Sequence, residues 1–300
     1  MSQTQAVSAA AAGTITLGGD LTVNRLGYGA MRITGKGVWG PPADKAAALA
    51  TLRRAVELGV NFIDTADSYG PNVSEELIAE ALYPYPAGVV VGTKGGWERC
   101  GPAQWLHNAS PEHLTKAVEG SLKRLRLDRI DVYQLHVPDP AVSYDASMDT
   151  LAKLREQGKI RHVGLSNVTQ EHIERGRKIV PIVSVQNRYS FADREWDYVV
   201  KYCEQHGIAF LPWAPLGQNK KALEVVEKIA REVGATTLQV ALAWLLERSR
   251  IMLPIPGTSS AAHVEENVAA AGLKLPDAAS KELSGVTPPP ASYRVSSISQ

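Results

Sequence analysis

The chain has 300 residues, 44% of them hydrophobic and 21% charged, with a formal net charge of +1. That balance is typical of a soluble globular enzyme and gives no reason to expect a nucleic acid or an anionic membrane as partner. The two cysteines, Cys100 and Cys203, have neither metal-ligand spacing nor a disulfide framework, which fits the cytoplasm, and no apolar run reaches the length of a membrane span.

Residues 1–13 lack the basic start and Leu-rich core of a signal peptide and read as a disordered tail. Residues 14–300 read as one domain. Residues 14–23 alternate around a Gly-Gly-Asp turn, the pattern of a β-hairpin, which should lie across one end of the fold. A repeating pattern follows. Strands are predicted at Arg25–Gly29, Val60–Asp64, Val89–Lys94, Ile130–His136, Ile160–Ser166, Ile182–Asn187, Ile208–Trp213 and Met252–Ile255. Helices fall between them. The first is capped by Asp44 and stopped by Gly59, and the third is capped by Ser110 with Pro111 in its first turn. Others span Ser74–Leu82, Ser147–Gln157, Thr169–Ile179, Arg194–His206, Leu223–Val233, Thr237–Arg248 and Ala261–Ala270. Strands alternating with helices specify a parallel sheet, and the predicted fold is an α/β single (β/α)8 TIM barrel with the hairpin across one end. A doubly wound sheet is the alternative, but no G-x-G-x-x-G follows a strand.

Three successive strands end on ionisable groups. Val60–Asp64 ends on a carboxylate, and Tyr69 follows in a loop with Gly70 and Pro71. The next two end on Lys94 and His136. Barrels of this class keep their chemistry at the C-terminal ends of the strands. Singly, each residue could be a cap, a packed ring or a salt bridge; three such endings in a row point to catalysis. An ammonium at Lys94 would favour the phenolate of Tyr69 and lower its pKa, and Asp64 would hold that ammonium charged. His136 could donate to a substrate oxygen. The strand ends offer no His–carboxylate cluster suited to a metal.

The stretches GVNFIDTADSYG (59–70), SLKRLRLDRIDVYQLH (121–136) and GKIRHVGLSN (158–167) resemble the aldo-keto reductase family in order and spacing. WAPLG (213–217) and IPGTSSAAHVEEN (255–267) resemble its cofactor segments. LTVNRLGYGAMRITGKGVWGPP, with ALYPYP and IPGTSS, looks closest to the bacterial pyridoxal reductase branch. The resemblance implies hydride transfer from NADPH, with NADH as the alternative, to the carbonyl carbon of a small molecule. Its catalytic tetrad maps onto Asp64, Tyr69, Lys94 and His136, with Tyr69 as general acid.

For the cofactor it implies Gly29, Met31, Asp64, Ser166, Asn167, Gln186, Trp213, Ala214, Pro215, Leu216, Gly217, Lys221, Ile255, Gly257, Thr258, Ser259, His263, Glu266 and Asn267. Trp213 would stack on the nicotinamide, and Gly257–Ser260 would cradle a phosphate at a helix start. Many NADPH-preferring members carry Lys or Arg where this chain has Gly257 and His263, which leaves NADH open. Tyr28, Trp39, Trp97 and Trp105 are the expected substrate walls, suited to an aromatic aldehyde such as pyridoxal. A monomer or weak homo-oligomer is expected. The alternatives are an NAD-dependent dehydrogenase of an alcohol or sugar and, from another class, a cofactor-binding regulatory subunit.

Overall fold

The computed structural model describes residues 7–216 and 220–287. Seven parallel strands form one sheet, in the order β11 (Ala209–Phe210), β10 (Ile182–Gln186), β9 (Ile160–Ser166), β8 (Ile130–Leu135), β5 (Val90–Gly95), β4 (Phe62–Asp64) and β3 (Tyr28–Gly29). Spatial order follows chain order, as successive strand–helix–strand units produce. The helices are α1 (Lys45–Glu57), α2 (Val73–Leu82), α3 (Pro111–Leu125), α4 (Tyr144–Glu156), α5 (Gln170–Ile179), α6 (Asp197–His206), α7 (Lys220–Val233), α8 (Thr237–Arg248), α9 (Ala261–Ala269) and α10 (Asp277–Val286). The expected caps form: Asp44 accepts from the Ala47 amide at 2.9 Å, and Ser110 accepts from that of His113 at 3.3 Å.

The expected eighth strand, Met252–Ile255, is not a regular strand. Only Met252 makes a strand-type bridge, to Phe210. Pro254 and Pro256 have no N–H with which to continue a ladder. The segment nevertheless binds both edges of the sheet. Phe210 N donates to Ile251 O at 2.8 Å and Leu253 N to Phe210 O at 2.9 Å; on the other side Gly27 N donates to Pro254 O at 2.9 Å and Gly29 N to Pro256 O at 3.3 Å.

Other elements depart from expectation locally. The first and seventh strands shorten to two residues each, β3 and β11. Helix α4 begins earlier, at Tyr144, where Ser143 caps it by accepting from the Ala146 amide. Helix α6 begins later, at Asp197. The helix α10 was not expected at all. The loop after β5 folds into a hairpin of β6 (Trp97–Gly101) and β7 (Gln104–His107). The presumed tail is ordered from residue 8 at least: Ala9–Ala12 is a 3₁₀ helix, with Ala9 buried and its amide bonded to Leu58 O at 2.9 Å. No helix among the described residues is long and apolar enough to cross a membrane.

The N-terminal hairpin, β1 (Thr14–Leu17) and β2 (Leu21–Asn24), supplies Leu17, Leu21 and Val23 to an apolar cluster with Phe62, Val90, Val132, Val183, Leu211 and Leu253. It thereby plugs the sheet's interior from one end. Asp20 at its tip pairs with Arg161 at 3.0 Å and His162 at 2.6 Å. The helices pack outside in two further apolar clusters. With the interior closed at the hairpin end, the strands' C-terminal ends are free to line a cavity. Phe62 is fully buried at the centre of the plugged cluster. We expect Phe62→Ala to cost about 3–5 kcal/mol, read as a lower urea midpoint at unchanged slope.

Candidate active site

The sheet register sets Asp64, Lys94 and His136 side by side. Asp64 ends β4, Lys94 pairs across the sheet with Gln134, and His136 immediately follows β8. Tyr69 is carried back over them by the loop after β4. Lys94 Nζ donates to Asp64 Oδ2 at 2.7 Å, to Thr65 O at 2.8 Å and to Tyr69 OH at 3.3 Å. Asp64 Oδ1 also accepts from Gln134 Nε2 at 3.3 Å and Gln186 Nε2 at 2.9 Å. The Tyr69 ring meets His136 edge-on at 5.8 Å. Ser68 Oγ lies 3.5 Å from His136 Nδ1, and Asn167 Nδ2 donates to His136 O at 3.1 Å. All four residues of the predicted tetrad are therefore neighbours, and all are buried.

Burial governs their protonation. It pushes the Tyr69 phenol above its ordinary value; Lys94 pulls downward but does not outweigh it. The expected lowering of the phenol pKa is thus not found. Burial pulls the Lys94 ammonium downward, but Asp64 and Tyr69 together hold it above the usual value. His136 is depressed well below its usual range, by burial first and Lys94 second. The site holds a protonated phenol, an ammonium and a neutral imidazole.

A cavity of about 820 Å³ opens above this group. Its walls include Gly29, Met31, Asp64, Tyr69, His136, Ser166, Asn167, Gln186, Trp213, Ala214, Pro215, Leu216, Ile255 and Gly257, all singled out from the sequence. Trp97 and Trp105 form an aromatic side wall. Trp213 is 36% exposed at the mouth, with the Arg188 guanidinium 5.9 Å from its ring centroid. Asn167 and Ala214 both hold left-handed backbone there, at φ 56° and 55°.

Other candidates lie elsewhere. Tyr28 is not a substrate wall: it is 2% exposed, and its hydroxyl donates to Thr258 O behind the cavity. Trp39 also falls outside the lining and lies over the Arg99 guanidinium. Thr258 Oγ1 accepts from Ser260 N at 3.1 Å, and Ser260 Oγ from His263 N at 3.4 Å, so both hydroxyls serve the start of α9. Ser259, His263, Glu266 and Asn267 do not line the cavity, nor does Lys221 in the first turn of α7. Gly217 lies outside the described residues. Sequence reasoning missed Arg32, Arg188, Leu238 and Pro256 on the wall, and Gln134 behind Asp64. Gln134 was legible as an inward residue two before His136; the arginines gave no signal.

The residues present suit an extended dinucleotide. Amides and a hydroxyl converge on one side, an indole stands at the mouth, and β3 meets the segment 255–257 closely at two glycines. A Cβ on Gly29 would lie 2.6 Å from Ile255 O, and one on Gly257 would lie 2.7 Å from Gly29 O.

A phenol, an ammonium, a carboxyl group and an imidazole thus meet at the C-terminal ends of a parallel sheet, beneath a cavity. The Aldo/keto reductase family profile matches residues 25–287. An uncharacterized oxidoreductase of Schizosaccharomyces pombe is 49% identical over 272 residues, 90% of this chain and 88% of that protein. Pyridoxine 4-dehydrogenase of Escherichia coli is 46% identical over 281 residues, 91% of this chain and 98% of that one. The crystal structure of an aldo-keto reductase from Klebsiella pneumoniae in complex with NADPH superposes with a TM-score of 0.78 at 26% identity, covering 94% of this chain and 97% of that one. The chain belongs to the aldo/keto reductase family and is an NAD(P)H-dependent oxidoreductase.

His136 is neutral in the fold, whereas a histidine of the unfolded chain takes up its proton near ~6.5. Below that pH the unfolded state binds the extra proton, so the contribution of His136 to stability falls as pH drops from about 7 to about 5, while Asp67, whose carboxyl burial holds well above its usual range, contributes in the opposite sense. His113 and His172 are also lowered by burial and add to the slope. We expect His136→Gln to flatten it, measured by urea unfolding across that range.

Proposed function

We propose that this protein reduces an aldehyde, with pyridoxal as the leading substrate, to the alcohol at the expense of NADPH. The observation that carries the reading is Lys94 Nζ lying 2.7 Å from Asp64 and 3.3 Å from Tyr69 OH, beneath a cavity walled by Trp97 and Trp105. In this reading the sheet and the segment 251–256 together make the closed (β/α)8 barrel.

NADPH, when bound, supplies a hydride to the carbonyl carbon. Ser166, Asn167 and Gln186 orient the carboxamide end, and Trp213 offers its face to the ring. Arg32 and Arg188 give the wall two guanidinium groups, which suit a phosphate-bearing cofactor. As negative charge grows on the carbonyl oxygen, Tyr69 donates its proton there. Lys94 then stabilises the phenolate left behind, and Asp64 keeps Lys94 charged. His136, being neutral, retains an N–H that can hold the oxygen in place. Such a proton donor is worth about 10²–10⁴-fold in rate. The relation to the Escherichia coli pyridoxine 4-dehydrogenase supports the substrate, and the apolar wall of Trp97 and Trp105, packed edge to face at 5.9 Å, suits a heteroaromatic ring.

The test follows NADPH oxidation with pyridoxal, and cofactor binding by tryptophan quenching. We expect Tyr69→Phe to lose about 10²–10⁴-fold in kcat while its NADPH Kd stays within about threefold. Near-normal turnover would remove Tyr69 from the chemistry. Failure of the parent enzyme to turn over pyridoxal would remove that substrate.

A further inference from the structure

The β6–β7 hairpin stands outside the main sheet yet carries both tryptophans of the cavity's side wall. One side chain ties it down. Arg99, half-buried in β6, directs all five of its N–H groups at backbone carbonyls. Nε donates to Gln104 O at 2.9 Å; Nη1 donates to Val38 O at 2.7 Å and Ser68 O at 2.8 Å; Nη2 donates to Gly37 O at 3.0 Å and Gly101 O at 3.3 Å. These carbonyls belong to three segments: the hairpin itself, the loop after β3 and the loop after β4. Ser68 immediately precedes Tyr69 in the last of them. The guanidinium also lies 3.8 Å from the Trp105 ring centroid and 5.6 Å from that of Trp39. Its charge is thus met by carbonyl dipoles and indole faces.

We propose that Arg99 is a positioning residue for carbonyl reduction. It locks the main chain at Ser68–Tyr69 to the tryptophan hairpin. In doing so it fixes the distance between the Tyr69 hydroxyl and a carbonyl held against Trp97 and Trp105. The role rests on the reading of Tyr69 as proton donor given above. Lysine cannot replace it: an ammonium has three donors on one atom and no plane to lay on an indole. A small misplacement of the donor is costly, since about 1 Å is enough to lose about 10²-fold in rate.

Arg99→Lys and Arg99→Ala, made in the full chain, test this with three readouts. For Arg99→Lys, amide exchange should quicken about tenfold or more at residues 65–70 as well as 97–107, with β8 and β9 unchanged. Pyridoxal kcat/KM should fall about 10- to 100-fold, mainly in kcat. The NADPH Kd should stay within about threefold. Faster exchange confined to 97–107, with kcat intact, would make Arg99 a clip for the hairpin alone and overturn the proposal. Unchanged exchange in both segments would overturn it as well. If the parent enzyme reduces no aldehyde, the functional reading fails separately, and exchange at 65–70 still decides whether Arg99 holds the Tyr69 loop. Should Arg99→Ala not fold, Arg99→Lys, which keeps the charge and most of the stem, carries the decision.

Discussion

The mouth of the sheet depends on one buried ion pair. Lys94 and Asp64 have side chains 0% and 3% exposed. Taking each ion out of water costs several kcal/mol, and their attraction offsets this only if the remaining donors and acceptors are satisfied. They are: Thr65 O takes a second ammonium proton, while Gln134 and Gln186 direct their amides at the carboxylate. These groups come from β4, β5, β8 and β10, so one polar cluster cross-links four strands. On the helix side of the sheet, between α2 and α3, a second pair repeats the pattern. Glu75, fully buried, accepts from Arg124 Nε and from Thr93 Oγ1, both at 2.6 Å. The interior therefore grades from apolar at the hairpin end to ionic at the mouth. An apolar filling would be at least as stable, so the ion pair is better explained by chemistry than by stability.

The balance of charges decides what that chemistry can be. Asp64 compensates Lys94 closely, so the field left at Tyr69 is too weak to overcome burial, and the phenol keeps its proton. The same burial keeps the imidazole neutral. A resting site of this kind stores a transferable proton without an exposed charge. In the proposed reaction the ammonium becomes fully effective only when negative charge reaches the phenol oxygen, which is when the transferred proton has left it. Stabilisation that appears with developing charge, rather than in the resting state, is what accelerates a chemical step.

Much of this was legible in the residues. Asp64, Lys94 and His136 end short apolar runs, and a parallel sheet must then bring them together. Caps at Asp44 and Ser110 were local signals and held. What escaped notice was set by contacts distant in sequence. The β6–β7 hairpin turns at Gly101-Pro102, a readable turn signal, but no local pattern shows that Arg99 reaches carbonyls at 37, 38 and 68. The irregular segment at 251–256 was readable from Pro254 and Pro256, whose missing N–H groups interrupt a ladder. Tyr28 sits two residues after Leu26 in a strand-like run, yet only the course of the chain at Thr258 shows that its hydroxyl is already engaged. The phenol's protonation was misjudged because a charge partner is visible in sequence and the depth of burial is not.

The bare approach of Gly29 and Gly257 constrains any redesign of cofactor choice. Many NADPH-preferring relatives carry a cation at the position of Gly257, and its absence here suggests a vacancy that one substitution could fill. Geometry closes that route. Any side chain at 257 would begin 2.7 Å from Gly29 O, and backbone cannot rotate aside as a side chain can. A Cβ on Gly29 would likewise lie 2.6 Å from the carbonyl of Ile255. The two glycines are a matched pair, and neither can be exchanged without displacing the chain at the sheet's seam. An engineer seeking to shift the enzyme between the two nicotinamide cofactors would have to work from the side chains already on the wall, with Arg32 the first to alter.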